Sequence, residues 1–360
     1  MSMDSLQARL TEHSTVWDRM RDCRKPVLLY GMGNGAQKLL DECARRGIEV
    51  AGMFASDEFV RGHSFAGYPV LRYREARARF GDFFTAIAFA SQRPEVLAQF
   101  YAVEREGETA APDLPVAGDA RVFDGGYLRE HLSSFERAFA LLADEPSRRT
   151  FAALVNYKLS GKLGYLRCAE SSVDDSYRLL ALTGEEDYVD LGAYRGDTVR
   201  ELLDHTGGRV RSVRAFEPDA RNFAHLERNL RAWGLRDAKC YNLGAWSGPG
   251  ELPFTGKAGR GSALGTAGGG AVPVDSVDRV LGGARVSYLK LDVEGAEREA
   301  LLGCARTIRR WRPKLCVSAY HRNEDLFALP LLIEQIAPGY RFYLRRFPYV
   351  PAWDVNLYCL

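Results

Sequence analysis

The sequence predicts an α/β protein in which two mostly parallel sheets are joined by a helical bridge. Apolar strands alternate with amphipathic helices over most of the chain, and two of those strands run into glycine-rich turns that open helices. The last two strand-like runs, at 340–345 and 354–359, follow one another without a helix between them. The second sheet should therefore be seven-stranded and doubly wound, with an antiparallel pair at one edge.

A smaller Rossmann-like α/β domain is predicted over residues 1–120. Its first strand, 26–30, leads into a G-x-G-x-x-A turn that begins at Gly31, and a second strand at 49–54 is followed by Asp57. Such a turn lets backbone amides approach a phosphate, and an acid after the second strand is where a ribose would bind. The pattern predicts nucleotide or nucleotide-sugar binding, and a scaffold or dimerisation surface that has lost its ligand is the equal alternative.

Two segments connect this domain to the rest of the chain. Residues 104–121 have the proline, glycine, alanine and charge content of a linker. Residues 121–185 carry apolar and aromatic side chains at helical spacing, which is more typical of a packed helix face than of a substrate site. We therefore predict a helical bridge over 121–185 and a third unit, the larger sheet, over 186–360.

The third unit opens with a candidate cofactor site. An apolar strand carries Asp190 near its end, Gly192 and Gly196 form a tight turn, and Glu217 ends the next strand. A carboxylate at that strand end can accept two hydrogen bonds from a ribose. The turn lacks the G-x-G-x-x-G spacing that a dinucleotide pyrophosphate needs, so a ligand with a ribose and no pyrophosphate fits better. S-adenosylmethionine is the commonest such ligand and is the predicted cofactor.

Ionisable residues gather at the end of a later strand, predicted at 286–292. Lys290 and Asp292 lie on one face of that strand, Glu294 follows it, and His321 follows the neighbouring strand. Carboxyl ends of parallel strands meet at one edge of a sheet, so the acids should come within reach of the histidine. A histidine near its ordinary pKa is the natural base for a hydroxyl proton at neutral pH. The alternative is a capping Glu294 and a surface His321 without a role.

A divalent metal is the competing way to acidify a hydroxyl group. Its ligands would be Asp292 with either Asn323 or Asp325. Because the sequence shows no matching ligand pattern, no metal site is predicted.

A glycine-rich stretch at 256–270 carries few side chains that could pack. A mobile flap over the site and a tolerated surface insertion are equally compatible with this composition.

Several motifs together resemble the FkbM-type methyltransferase family. They are D-L-G-A-Y-R-G-D-T from Asp190, F-E-P-D from Phe216, L-K-L-D-V-E-G-A-E from Leu289, and the pair Tyr320 and His321. The resemblance implies a seven-stranded doubly wound methyltransferase sheet. It also implies a cytosolic enzyme that moves a methyl group from S-adenosylmethionine to a hydroxyl oxygen of a sugar or a secondary metabolite. The residues that would face the acceptor as catalytic groups are Asp292, Glu294 and His321.

The resemblance also indicates which residues hold the cofactor. Tyr194 and Arg195 depart from the smaller pair that is frequent in the family, and the arginine would bind an acidic acceptor or be solvated. With the neighbouring positions of the turn and the strand ends included, the predicted cofactor-binding residues are Asp190, Gly192, Ala193, Tyr194, Gly196, Asp197, Glu217, Pro218, Asn242, Gly244 and Ala245.

Composition limits the partners and the compartment. A net charge of +2 over 360 residues argues against nucleic acid or an anionic membrane as partner. The seven cysteines include no C-x-x-C pair, which fits a reducing compartment. The first residues do not resemble a signal peptide, and no apolar run reaches membrane-spanning length. We therefore expect a cytoplasmic protein with a small-molecule acceptor (a sugar, glycan or secondary metabolite), no nucleic-acid or membrane partner, and a homodimer as an allowed assembly.

Two other classes of function are also compatible with the sequence. One is a nucleotide-binding oxidoreductase that works through the turn at Gly31, although no catalytic Tyr-x-x-x-Lys set lies nearby. The other is a non-catalytic nucleotide-sensing scaffold.

Overall fold

The computed structural model describes residues 5–57, 60, 62, 64–117, 121–255, 263–264 and 270–360. These residues form a six-stranded sheet, a seven-stranded sheet and a small four-stranded sheet, with helices around and between them. The predicted α/β class and the seven-stranded sheet are confirmed. Among the described residues, none of the helices combines the length and hydropathy that crossing a membrane requires.

The six-stranded sheet is built from short apolar runs. The elements of this part are α1 Leu6–Arg9, α2 Val16–Asp22, β1 Val27–Tyr30, α3 Asn34–Arg45, β2 Val50–Ala55, β3 Ser64–Phe65, β4 Tyr68–Arg72, α4 Tyr73–Phe80, β5 Phe84–Ile87, α5 Pro94–Glu106 and β6 Thr109–Ala110. All residues of β1 and β5 are buried, as expected for parallel strands covered on both faces. The strand order is β3-β4-β2-β1-β5-β6, and only the β3–β4 pair is antiparallel.

Helices connect the two large sheets along the chain. They are α6 Gly125–Leu141, α7 Glu145–Ser160, α8 Leu163–Cys168 and α9 Val173–Leu180. Aspartates begin the two long helices: Asp124 accepts two backbone N–H groups of α6, and Asp144 accepts one of α7. Residues 150–160 of α7 are buried without interruption. A helix that is buried on all faces lies inside the molecule, so α7 is part of the core.

The remaining elements build the larger sheet and its covering helices. They are β7 Asp187–Leu191, α10 Asp197–His205, β8 Ser212–Phe216, α11 Ala220–Ala232, β9 Ala238–Tyr241, β10 Gly244–Ala245, β11 Gly250–Thr255, β12 Ala263–Leu264, β13 Ala271–Asp275, α12 Val277–Val280, β14 Tyr288–Leu291, α13 Glu297–Gly303, α14 Ala305–Trp311, β15 Lys314–Ser318, α15 Asp325–Ile336, β16 Phe342–Arg346 and β17 Val355–Cys359. The order is β16-β17-β15-β14-β7-β8-β9.

The strand order of the larger sheet reverses between β14 and β7. From β7 the chain builds outward through β8 and β9, and it then returns to build the other half from β14. β17 pairs antiparallel with both β15 and β16, which confirms the predicted edge. In such a sheet, ligands bind beyond the carboxyl ends of the strands at the point where the order reverses. That point lies beyond β7 and β14.

A four-stranded sheet in the order β10-β13-β11-β12 was not expected from the sequence. Its central pair, β11 and β13, is antiparallel. The glycine-rich stretch 256–270 connects these two strands. The predicted mobile flap, or surface insertion, lies outside the described residues, apart from Gly270 and the backbone of β12.

The prediction of a linker at 104–121 is wrong. Residues up to Glu106 continue α5, and β6 joins the first sheet. The following residues, 111–117, which we call the seam segment, connect the N-terminal sheet to the rest of the molecule. The backbone N–H of Ala111 donates to the carbonyl of Gly161 (2.8 Å), and that of Ala117 donates to the carbonyl of His321 (3.0 Å). Its prolines and alanines make this segment look like a linker, although its backbone is hydrogen-bonded to α7's end and to the loop of His321.

Candidate active site

A cavity of about 900 Å³ lies at the carboxyl ends of β7 and β14. It has the size of a pocket that encloses a small-molecule ligand. One wall is the turn after β7 and the end of β8, another is the end of β14, and a third comes from α5 of the first sheet. The cavity therefore lies where a doubly wound sheet is expected to bind ligands.

The turn after β7 is shaped by close packing. Gly192 has a φ of +83°, and a Cβ atom there would lie 1.9 Å from the carbonyl oxygen of Asp292. The backbone N–H groups of Gly192 and Ala193 both donate to the carbonyl of Phe216 (3.0 and 2.9 Å). A Cβ on Gly196 would lie 3.2 Å from the side chain of Leu226 on α11. These glycines therefore bring the two halves of the sheet together, and the two amides donate to protein rather than to a ligand.

Asp190 lies behind the cavity wall. It is fully buried, Thr198 donates a hydroxyl hydrogen bond to it, and it is opposite Lys290 across the β7–β14 pair. Burial raises the pKa of Asp190, and the charge of Lys290 counteracts that rise. Burial lowers the pKa of Lys290, but the carboxylates of Asp292 and Asp190 outweigh it and raise that pKa above its ordinary value. Asp190 and Lys290 thus face each other across the two strands, and the ammonium of Lys290 lies 3.7 Å from Oδ2 of Asp292 at the cavity wall.

Glu217 lines the cavity at the end of β8. Its two carboxylate oxygens accept the backbone N–H groups of Tyr194 and Asp219, both at 2.9 Å. Burial nevertheless raises the pKa of Glu217 to about 7. Asn242 donates its side-chain amide to the carbonyls of Glu217 (2.9 Å) and Pro218 (3.0 Å), so it holds this loop in place.

The predicted cofactor residues divide into two groups. Asp190, Ala193, Gly196 and Asn242 support the turn and the strand ends from behind. Those that line the cavity are Gly192, Tyr194, Asp197, Glu217, Pro218, Gly244 and Ala245.

The predicted catalytic residues come together beyond β14. The Nε2 atom of His321 lies 3.7 Å from Oδ1 of Asp292 and 3.5 Å from Oε2 of Glu294. Its Nδ1 atom lies 2.9 Å from Oε1 of Glu297. Asp292 and Glu294 line the cavity. Three carboxylates therefore surround one imidazole at the edge of the cavity.

His321 differs from the sequence-based expectation in its exposure and in its pKa. The side chain is fully buried behind the two cavity-lining acids, where the sequence had suggested a ring that faces the acceptor directly. Burial lowers its pKa, but Glu297, Asp292 and Glu294 outweigh that effect and raise the pKa to about 10. With this pKa the ring is protonated at neutral pH. Its role as a base stays a prediction.

The loop after His321 is held by distant parts of the chain. The side-chain amide of Asn323 donates to the carbonyl of Arg121 (2.7 Å), and its oxygen lies 3.4 Å from Nζ of Lys158. Asp325 accepts the backbone N–H of Arg322 (2.8 Å), and burial followed by the charge of Glu297 raises its pKa to about 8. Asn323 and Asp325, the metal ligands considered from sequence, therefore have structural partners.

The remaining wall of the cavity was missed by sequence reasoning. It includes Leu97 and Tyr101 of α5, and Tyr349 and Trp353 of the loop between β16 and β17. The rings of Tyr349 and Trp353 are 5.5 Å apart between centroids. The two parts of this wall lie about 250 positions apart in the sequence, so no local motif could have joined them.

The glycine turn of the N-terminal sheet packs against its own domain. A Cβ on Gly31 would lie 2.3 Å from the ring of Phe89, and one on Gly35 would lie 2.3 Å from the carbonyl oxygen of Ala88. Close internal packing thus accounts for both glycines. What this domain binds stays a prediction.

Known proteins resemble this chain in sequence and in fold. Residues 190–342 match the family model described as methyltransferase FkbM domain. The fold is similar to that of a methyltransferase FkbM from Methylobacillus flagellatus KT, with a TM-score of 0.74 and 24% identity over 94% of this chain and 91% of that chain. An rRNA methylase from Streptococcus thermophilus has a TM-score of 0.36 and 13% identity, over 53% of this chain and 96% of that chain. No curated protein matches the sequence.

The matched segment begins at Asp190 and includes Glu217, Asp292, Glu294 and His321. The likeness to the Methylobacillus flagellatus protein also extends over the N-terminal sheet, because it covers nearly the whole of both chains. Residues 190–342 of this chain are thus similar in sequence to methyltransferase FkbM domains, and the chain has the fold of a methyltransferase FkbM over nearly its whole length.

Proposed function

We propose that this protein transfers a methyl group from S-adenosylmethionine to a hydroxyl oxygen of a small molecule, a sugar or a secondary metabolite. The observation that carries the proposal is a cavity lined by Glu217 on one side and by Asp292 and Glu294 on the other. This reaction requires an acid that binds the ribose and a group that accepts the hydroxyl proton. Glu217 is placed for the first role, and Asp292 and Glu294 are placed for the second.

The residues around Glu217 fit a ribonucleoside. The carboxylate is already oriented by two backbone N–H groups, so its remaining lone pairs can accept the ribose hydroxyls without further ordering. Tyr194 lines the cavity beside it. The nucleoside would lie over the turn at Gly192, between the ends of β7 and β8.

When bound, the cofactor would supply an electrophilic methyl group on sulfur, with S-adenosylhomocysteine as the leaving group. The protein must align the hydroxyl oxygen with that methyl group, exclude water and accept the hydroxyl proton. The carboxylates of Asp292 and Glu294 line the cavity and are within reach of a bound hydroxyl. His321, behind them, holds both carboxylates in position. Proton acceptance of this kind contributes about 10²–10⁴-fold to the rate.

The acceptor side favours a ligand with both flat and hydroxylated surfaces. Tyr101, Tyr349 and Trp353 provide aromatic faces, and Glu170 and Asp354 provide carboxylates at the same wall. Aromatic faces next to hydrogen-bonding groups suit a sugar ring or a polyhydroxylated metabolite, since such molecules present C–H faces and hydroxyl edges.

Calorimetry with S-adenosylmethionine tests the cofactor site. Replacing Glu217 by alanine should weaken binding by about 1.5–3 kcal/mol, because a charged acceptor of hydrogen bonds is lost. The matched control is Glu227→Ala on α11, where the glutamate pairs with Arg231 on the surface. Equal affinities for the folded Glu217 variant and the wild type would show that the ribose is not bound there.

The reaction is tested with S-adenosylmethionine that carries a ¹³C-labelled methyl group. The purified protein is incubated with a panel of glycosides and polyhydroxylated metabolites, and products are assigned by carbon NMR. We expect the label on an oxygen of the acceptor. A label found only on nitrogen or carbon would exclude O-methylation while leaving methyl transfer itself intact.

A further inference from the structure

We propose that Asp292, Glu294 and the Nε2 atom of His321 bind a divalent cation at the cavity wall. The cation would belong to the Mg²⁺ and Mn²⁺ class and would hold the acceptor oxygen in front of the methyl group. The site itself stands on the geometry of these side chains, and only its role in orienting the acceptor rests on the proposed function.

The distances between the donor atoms suit such an ion. Nε2 of His321 lies 3.7 Å from Oδ1 of Asp292 and 3.5 Å from Oε2 of Glu294. Ligands at about 2.1 Å from an octahedral metal lie about 3 Å apart when adjacent and about 4.2 Å apart when opposite. Both separations from Nε2 fall between these limits. Donor atoms of Asp292 and His321, together with one of Glu297, also all lie within 4.8 Å of one another.

Glu297 is placed to orient the imidazole. Its Oε1 atom lies 2.9 Å from Nδ1 of His321 and accepts the backbone N–H of Val293 (3.0 Å). A carboxylate at Nδ1 keeps a proton on that nitrogen, so a bound ion would displace the proton of Nε2, as in many metal-bound histidines. His321 is fully buried, and within the described part of the chain neither ring nitrogen makes a hydrogen bond of good geometry, although Nδ1 has Glu297 as ion-pair partner. Nε2 faces two carboxylates, and a bound ion would satisfy all three groups.

The backbone supports the same interpretation. Glu294 has a φ of +55°, a conformation that non-glycine residues rarely adopt, and Gly295 beside it has a φ of +96°. The carbonyl of Gly295 accepts a hydrogen bond from Nε of Arg322 (2.7 Å), which fixes this turn against the loop of His321. Unfavourable backbone conformations that are held by their surroundings occur mainly at ligand sites.

The donor set indicates the class of ion. Two carboxylates and one imidazole give an oxygen-rich site, and Asp292 and Glu294 face the cavity, so coordination positions remain for water or for an acceptor oxygen. Carboxylate and water ligands favour Mg²⁺ or Mn²⁺, and the imidazole among them makes Mn²⁺ the better fit of the two. The alternative is an ion-pair cluster in which a protonated His321 compensates the acids without any metal.

The test is a titration of the metal-free protein with Mn²⁺, followed by calorimetry and electron paramagnetic resonance, with no cofactor or acceptor present. We expect one Mn²⁺ per chain. The echo decay in pulsed electron paramagnetic resonance should be modulated by a ¹⁴N nucleus, which indicates a histidine ligand. Asp292→Asn and Glu294→Gln should each weaken Mn²⁺ binding at least tenfold. If the wild type binds no Mn²⁺, or if both variants bind it as the wild type does, the proposal is overturned.

Two further variants separate a ligand from a positioning residue. Glu297→Gln should weaken Mn²⁺ binding about 10–100-fold while the nitrogen modulation persists, because Glu297 acts through the imidazole. Glu299→Gln, on the same helix and paired with Arg298 at the surface, should bind Mn²⁺ as the wild type does. If the nitrogen modulation is absent from the wild type, His321 is not a ligand and the proposed donor set is wrong.

Methyl transfer is then measured separately with and without a chelator. Full transfer by a metal-free protein that binds no Mn²⁺ would overturn the cation site and leave the proposed function intact. Mn²⁺ binding by a protein that transfers no methyl group would preserve the site and contradict the proposed function.

Discussion

Gly192 lies so close to the carbonyl oxygen of Asp292 that a Cβ atom at position 192 would be 1.9 Å away from it. This contact joins the turn after β7 to the end of β14, and it therefore brings the cofactor side of the cavity next to the acidic cluster. The contact leaves no room for a side chain.

Gly192→Ala should destabilise the protein far more than a glycine replacement at a similar backbone conformation does. Gly207 has a φ of +66° and no atom within 4 Å of where a Cβ would lie. Gly207→Ala should therefore lower the free energy of unfolding only by the strain of a left-handed backbone, about 1–2 kcal/mol. Gly192→Ala adds a clash with backbone and should exceed that cost by at least about 2 kcal/mol. Urea denaturation of both variants measures the difference. Equal costs would mean that the turn can move away from Asp292.

Glu217→Gln should become relatively more stable as the pH rises. Burial raises the pKa of this carboxyl from 4.5 to about 7, so the folded state binds a proton that the unfolded state releases. The ionised glutamate therefore destabilises the fold increasingly from about pH 4.5 to above pH 7, by up to about 3 kcal/mol. Glutamine removes this penalty. Denaturation at pH 5 and pH 8 measures the free energy of unfolding. Relative to the wild type, it should rise with pH for Glu217→Gln and stay constant for the control Glu227→Gln.

Asp190 and Lys290 should be coupled in a double-mutant cycle. Lys290→Met leaves the fully buried Asp190 without the cation that faces it and should cost about 3–5 kcal/mol. Asp190→Asn should cost less, because Lys290 keeps Asp292 at 3.7 Å. The double variant should cost less than the sum by at least about 1 kcal/mol. The comparison pair is Arg200 and Asp204, an exposed ion pair on α10 at 2.9 Å, for which about 0.5 kcal/mol is expected. Additive losses at the buried pair would contradict the proposed pairing.

Ala98→Trp should alter the acceptor site without altering cofactor binding. Ala98 is an exposed residue of α5 that lines the cavity, so a large side chain there would occupy part of the acceptor space. We expect the KM for the acceptor to rise at least tenfold while the Kd for S-adenosylmethionine is unchanged. Ala44→Trp, at an exposed position of α3, is the matched control. An unchanged KM would show that α5 does not contribute to acceptor binding.

The parts of the site that follow from strand order can be predicted from the sequence. Asp190, Glu217, Asp292 and His321 each lie at or just beyond a strand end, and parallel strands bring such positions to one edge of the sheet. That logic needs only the alternation of strands and helices, so the sequence is sufficient to place the acids near His321.

The features that were missed depend on contacts between distant segments. The burial of His321 could not be predicted, since part of its surroundings is the seam segment, whose prolines and alanines resembled a linker. The pKa of His321 depends on three carboxylates at once, and strand spacing does not fix their distances from the ring. The contact of Glu297 with Nδ1 of His321 (2.9 Å) joins the start of α13 to the loop after β15, so no local spacing predicts it.

The cavity has a consequence for biosynthesis. Its lining runs from Gln92 on the N-terminal side to Tyr358 on β17, which inserts between β15 and β16. At about 5–20 residues per second, a ribosome needs on the order of tens of seconds to pass from α5 to β17. During that interval Leu97 and Tyr101 of α5 have no opposite wall, and their apolar surface is open to other chains. The nascent protein should therefore depend on chaperone protection until β17 has been released.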